Sequence, residues 1–337
     1  MNPLVRYTLK RVALLPVMLL LLATSAFLLS ELIPGDPASL ILGEFASPEQ
    51  IAELRDELGF NDPLLTRYLD YTTGVFQGDL GTSLFTGASV GGELLRRLPA
   101  SFVIILPALV FAMILGTFMG TLAGYYRRKP FGRVANSFIS ATQGVPPFFV
   151  GIVLIFAVVF SVRIFPPPVG IVDSSVAYPP TVTGILVLDA IITWSPDVLA
   201  SVVAHAVLPT LSVAVFVSAY FGKTVRTAMT QALTTPQIEF ARACGLPERQ
   251  VVRYALLSAR TNVLTYAAIM FGVLLSSTAI IELVFAWPGS GAWALEGVLK
   301  GDLPVIQGFI VVTGALVILG YLVLDVLVAV LDPRINY

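Results

Sequence analysis

FVIILPALVFAMILGTFMGTLAGY, residues 102–125, runs for 24 residues without a charged side chain. A bilayer core about 30 Å thick is crossed by roughly 20 apolar residues in helical form, so this run is long enough to span a membrane. Working outward, 12–33, 138–165, 263–285 and 305–331 read the same way. A shorter continuous block lies at 206–221, where Leu208-Pro209 is placed to open a first turn. The stretch 184–194 is apolar but too short to cross and is interrupted by Asp189, so it reads as an interfacial or re-entrant piece. The expectation is an all-α membrane protein with about six transmembrane helices.

Composition agrees. Of the 337 residues 56% are hydrophobic and only 12% charged, where a soluble domain carries about 25% charged. The mean hydropathy is +0.87. Lipid is the better solvent for such a chain. A formal net charge of −1 leaves no dominant basic surface, and no nucleic acid partner is expected. One cysteine, Cys244, excludes an internal disulfide, and with His205 the sole histidine no metal site is expected. Arg6, Lys10 and Arg11 before the first run resemble a secretory leader, but that run exceeds the usual apolar core of about 7–15 residues and reads as a retained anchor.

Orientation follows the distribution of Lys and Arg between spans. With the N-terminus inside, 14 of the 20 fall on the cytoplasmic side; Arg55, Arg67, Arg96, Arg97, Arg163 and Lys300 fall outside or at the outer interface. Both termini are therefore expected in the cytoplasm. The chain divides into the N-terminus and first span (1–33), an extracytoplasmic segment (34–100) and a core with five spans (101–337). Within 34–100, Ser47, Pro48 and Gly59 are placed to cap, open and close a helix. A second long outer segment, 166–204, is rich in proline and carries Asp173, Asp189 and Asp197 without Lys or Arg.

Several residues within the spans invite a role. Gly116, Gly120 and Gly124 form a smooth stripe, the spacing that lets helices approach closely in lipid. It serves either packing within this chain or contact with a partner. Pro146 and Pro147, after Gly144, should kink the third span, and broken helices often line translocation paths. Asp325 is costly inside a membrane, yet near the rim it can find water, Arg334 or a neighbouring loop, which fits a structural or interface role. Glu282 reads the same way. Two tempting motifs fail. GKT at 222–224 ends a phosphate-binding loop, but Val217 stands where the first glycine belongs. GSG at 289–291 is preceded by Pro288 and has no histidine to activate Ser290. No catalytic residues are expected.

The loop at 223–262 is the most informative. It reads as a helix at 237–244, a stop at Gly245-Leu246-Pro247 and a second helix from Glu248. A short rigid helix at a membrane surface is an element another protein can push. EFARACG at 239–245 resembles the E-A-A-x3-G coupling motif of ATP-binding-cassette (ABC) importer permeases: Glu239, Ala241 and Gly245 match, and Phe240 replaces the first alanine. In the motif's tail only Leu257 matches.

The resemblance extends along nearly the whole chain to the dipeptide and oligopeptide permeases. It is carried by YTLKR at 7–11, IPGDP at 33–37, LGFNDP at 58–63, GDLGTS at 78–83, LPA at 98–100, HAVLP at 205–209, VFAWPG at 284–289 and LDPR at 331–334. It implies a type I ABC importer permease fold in the bacterial inner membrane. It also implies a second homologous permease subunit, two cytoplasmic ABC ATPase subunits that hold ATP and Mg, and an extracytoplasmic substrate-binding protein. On this reading Glu239, Phe240, Ala241, Arg242, Ala243, Gly245 and Leu246 meet the ATPase. The expected cargo is short peptides; relatives carry glutathione, nickel chelates or sugars. A secondary transporter is the more distant alternative, for which few midplane ionisable residues exist.

Overall fold

The computed structural model describes residues 3–33, 35–43 and 45–331. The chain opens with α1 (Pro3–Glu31), followed by three short helices, α2 (Pro37–Leu42), α3 (Pro48–Glu57) and α4 (Leu64–Gln77). The long helix α5 (Val90–Tyr125) comes next, then α6 (Pro130–Gln143) and α7 (Pro147–Leu154), which runs on as a π-helix over Ile155–Val162. A small α8 (Leu186–Ile192) precedes α9 (Pro196–Ala232), α10 (Pro236–Ala243) and α11 (Glu248–Ser277). The chain closes with α12 (Ala279–Val284), α13 (Ser290–Lys300) and α14 (Leu303–Leu331). Among the described residues five helices are long and apolar enough to cross a membrane, or six if α6 and α7 form one broken span.

The spans are longer than hydropathy alone delimits. The span expected at 206–221 lies inside the 37-residue α9, and the one at 102–125 is the second part of the 36-residue α5. Pro209 therefore does not open its helix: Pro196 does, and Pro209 sits in the interior. Hydropathy marks where lipid begins, whereas backbone hydrogen bonding continues until a cap or breaker stops it. The span expected at 263–285 instead ends early, at Ser277, and α12 follows as a separate short element. The helix expected from Glu248 is continuous with that span, so the loop at 223–262 contains the end of α9, α10 and the start of α11.

Helices α5 and α9 pack along their length because the glycine stripe removes side chains between them. A Cβ at Gly116 would stand 2.5 Å from the Ser218 carbonyl oxygen, and one at Gly120 2.5 Å from that of Gly222. At Gly124 it would stand 2.8 Å from the Met229 Cβ. The stripe is consumed within this chain and is not left free for a partner subunit. Gly144, Pro146 and Pro147 do more than kink the third span: α6 and the α7 segment meet at 101°. Pro146 occupies the N-cap of α7 and Pro147 its first turn, where a missing amide proton costs nothing.

The N-terminal helices form a folded cap on α1 and α14. Ser47 caps α3 in a reciprocal box with Gln50, and Gly59, at φ +72°, closes it. Arg67 grips Glu31 through two hydrogen bonds of 3.1 and 2.5 Å. Buried Asp302 before α14 accepts from the Ser83 hydroxyl at 2.6 Å and the Leu84 amide at 3.2 Å. This end of the bundle is called here the cap end; the opposite end, which carries α10, is the basic end.

Candidate functional site

At the basic end α9 stops at Ala232, and Pro236 starts the eight-residue α10. Ile238 is buried against Val225, Met229, Val251 and Ala255, which fixes the base of the helix on α9 and α11. The opposite face is bare. Glu239, Arg242 and Ala243 are exposed, Ala241 is half-buried, and Phe240 is 72% exposed. Gly245, at φ +77°, closes the helix. Its amide donates to Arg242 O at 2.9 Å and the Leu246 amide to Ala241 O at 3.2 Å, the paired closure of a Schellman motif. Leu246 then packs into the same apolar cluster as Ile238. Glu239 lies in the first turn, where a negative charge complements the helix dipole.

The other side of the turn is stapled to the bundle. The Tyr125 hydroxyl at the end of α5 donates to Glu248 Oε2 at 2.6 Å, and Arg242 Nε lies 3.3 Å from Glu248 Oε1. The Tyr125 hydrogen bond, followed by Arg242, holds the Glu248 carboxyl below the usual carboxylate range. An exposed, eight-residue helix thus stands on a fixed base between two of the bundle's longest helices. A force applied to it is passed to α9 and α11 together. Asp325 is paired as well: Arg11 of α1 donates to its carboxylate, joining the ends of α1 and α14. Arg334, its expected partner, lies outside the described residues.

Nearer the cap end, a groove of about 880 Å³ runs beside the α5–α9 seam, with α8 and α14 at its sides. Phe102, Leu106, Val203 and Leu316 represent its walls, and Thr210 supplies the one polar side chain among the lining residues. Pro99 and Pro107 lie inside α5 and lack amide protons, so the carbonyls of Leu95 and Val103 lose their helical donors. All four residues line the groove. Pro146 and Pro147, expected to kink a path, do not line it.

Sequence reasoning missed the depth at which Glu282 is buried. Expected at a wet rim, it has no exposed surface. Its Oε1 accepts from the Ser101 hydroxyl and its Oε2 from the Ala292 amide, each at 2.7 Å. The Ser290 amide donates to the Ser101 oxygen at 2.9 Å, and buried Trp287 donates from Nε1 to Ala100 O at 2.9 Å. The turn that folds over the carboxylate is VFAWPG, in which Ala286 takes φ +47° while Phe285 and Trp287 on either side are buried. A Cβ at Gly289 would collide with the Glu282 carboxyl group. The signal available beforehand was a glutamate directly preceding an aromatic, glycine-closed turn. Asp189 is also buried, and accepts from the Thr183 hydroxyl at 2.7 Å and its amide at 2.6 Å.

A polytopic helical bundle with an exposed surface helix and an apolar groove defines a membrane permease component. Residues 112–337 match the family described as "Binding-protein-dependent transport system inner membrane component", and residues 4–104 match its N-terminal counterpart. The chain belongs to that family. It is 34% identical over 311 residues to the probable D,D-dipeptide transport system permease protein DdpB of Escherichia coli (strain K12), covering 92% of this chain and 91% of the relative. It is 34% identical over 314 residues to the di/tripeptide transport system permease protein DppB of Pseudomonas aeruginosa (strain UCBPP-PA14), covering 92% and 93%. The dipeptide transport system permease protein DppB of Escherichia coli (strain K12) is 32% identical over 320 residues, or 94% of each chain. The protein is accordingly an inner-membrane permease component, and several of its helices are apolar enough to cross that membrane.

Proposed function

We propose that this chain, paired with a second homologous permease subunit, forms the inward path of an ABC importer for short peptides. The observation that carries the reading is α10: an exposed helix, closed by Gly245 and seated on α9 and α11. Two cytoplasmic ATPase subunits, which hold ATP and Mg, receive Glu239, Phe240, Arg242 and Ala243 in a groove, with Ala241, Gly245 and Leu246 setting the geometry. This orientation puts both termini in the cytoplasm. The cap end then faces outward, and an extracytoplasmic binding protein docks on 34–100 and 166–204.

The peptide assignment rests on the printed names of the relatives and on the groove. An apolar wall takes varied side chains, and two backbone carbonyls without helical donors can accept from a peptide backbone. The test is uptake of labelled di- to hexapeptides into vesicles holding the full complex, with glutathione, nickel and sugars as competitors. Peptide uptake that requires ATP supports the reading; failure of every peptide beside ATP-driven uptake of a competitor sinks it. Orientation is checked by single cysteines at Glu53 and Arg128 in a Cys244→Ser chain. An impermeant thiol reagent applied outside whole cells should label the first and spare the second. Gly132 would be a poor probe site, because a Cβ there meets the Tyr126 carbonyl.

A further inference from the structure

A second cavity, of about 700 Å³, opens at the basic end between α5, α6 and α9. Arg127, Arg133 and Arg226 line it, together with Asn136, Thr227 and Thr230, and no Asp or Glu does. Arg11, Arg55, Arg67, Arg96, Arg97 and Arg242 each meet a carboxylate, whereas none of these three arginines enters an ion pair among the described residues. Arg226 donates to the Asn136 side-chain oxygen, a neutral acceptor. A guanidinium carries five donors, so that bond leaves most of its capacity unused.

Three cations around one cavity repel each other unless an anion stands between them. The backbone that carries Arg127 and Arg133, both exposed, is constrained: the turn from α5 to α6 is tight enough that a Cβ at Gly132 would strike the Tyr126 carbonyl. Phosphate oxygens suit forked guanidinium donors, whereas the Thr227 and Thr230 hydroxyls already donate to the Lys223 and Arg226 carbonyls.

We propose that this cavity is a binding site for a phosphate-bearing anion, of the kind a phospholipid headgroup or free phosphate supplies. Arg226 sits six residues before the end of α9, which leads directly into α10, so an occupied cavity ties α6 to the helix that carries the exposed lever.

The experiment uses the assembled importer with the full-length chain, delipidated in neutral detergent. It is titrated separately with phosphatidylglycerol, phosphatidylcholine and inorganic phosphate, and native mass spectrometry reads the bound mass. Phosphatidylglycerol or phosphate should bind the wild type, and whichever does identifies the source. Arg127→Gln and Arg133→Gln should each weaken that binding about fivefold, while Arg249→Gln, exposed and outside the cavity, should leave it unchanged. Equal binding by wild type and the double variant would overturn the site. Phosphatidylcholine bound as tightly as phosphatidylglycerol would also overturn it, because the three charges would then contribute nothing.

Discussion

Glu282 and Glu239 are both glutamates at a turn of the same bundle, and their surroundings are opposite. Glu282 has no exposed surface and two hydrogen bonds from fixed donors, under a turn sealed by Trp287. Glu239 stands in the open on α10, where only the base of the helix is buried. The cap-end locus spends its polar groups internally and holds α5 to the α12–α13 turn. The basic-end locus leaves a whole helix face unspent. One is built to stay in place, the other to be met by something else.

The comparison breaks first at Glu282. Glu282→Ala removes the acceptor of the buried Ser101 hydroxyl and of the half-buried Ala292 amide, which should cost about 3 kcal/mol. The thermal midpoint in detergent should fall sharply, and Glu282→Gln, which keeps one acceptor oxygen, should lose less. An unchanged midpoint for the alanine variant would show that this locus is not the fixed one.

Next comes the α5–α9 seam on which both loci hang. Gly120→Ala forces a methyl group against the Gly222 carbonyl and Val225, where overpacking costs about 2 kcal/mol. The folded yield should drop while Gly91→Ala, whose Cβ would meet only the tip of Ser89, stays near wild type. Equal yields would mean that the helices separate more easily than their packing suggests.

The smallest effect concerns pH at the α10 base. The Glu248 carboxyl lies below its ordinary value of 4.5, chiefly because Tyr125 donates to it. A depressed carboxylate stabilises the folded form above the ordinary value, and that contribution fades as pH falls through the folded one. A spin label on exposed Cys244 should therefore gain mobility as the pH is lowered below 4.5, and Tyr125→Phe should weaken the dependence, leaving the part due to Arg242. Mobility that is flat with pH in the wild type would remove Glu248 from the staple.

Legibility in the sequence differed between the two loci for a physical reason. Local patterns were readable: the Gly116, Gly120 and Gly124 spacing, the Ser47 cap, the stop at Gly245. Each depends on residues within a turn or two. What was lost depends on distant partners. Glu282 looked like a rim carboxylate because Ser101 lies 181 positions away. Asp325 was expected to find water, Arg334 or a neighbouring loop, whereas its described partner, Arg11, is 314 positions distant. The arginine-lined cavity joins Arg127 and Arg133, at the α5–α6 turn, to Arg226 of α9, more than 90 positions on. Helix ends failed for another reason, since hydropathy reports where lipid stops and α5 and α9 continue beyond it.

The central claim is that α10, in the form Gly245 gives it, couples this permease to an ATPase. A Cβ at position 245 would meet no neighbour within 4 Å, so the defect expected of a β-branched residue there comes from the backbone at φ +77°. Asparagine tolerates that conformation far better than a β-branched residue. The direct measurement is ATP-dependent peptide uptake, read in parallel with peptide-stimulated ATP hydrolysis, by the reconstituted importer carrying Gly245→Val or Gly245→Asn. Gly245→Val should insert normally and lose both activities, and Gly245→Asn should keep most of each. Wild-type uptake and hydrolysis in Gly245→Val would contradict the account.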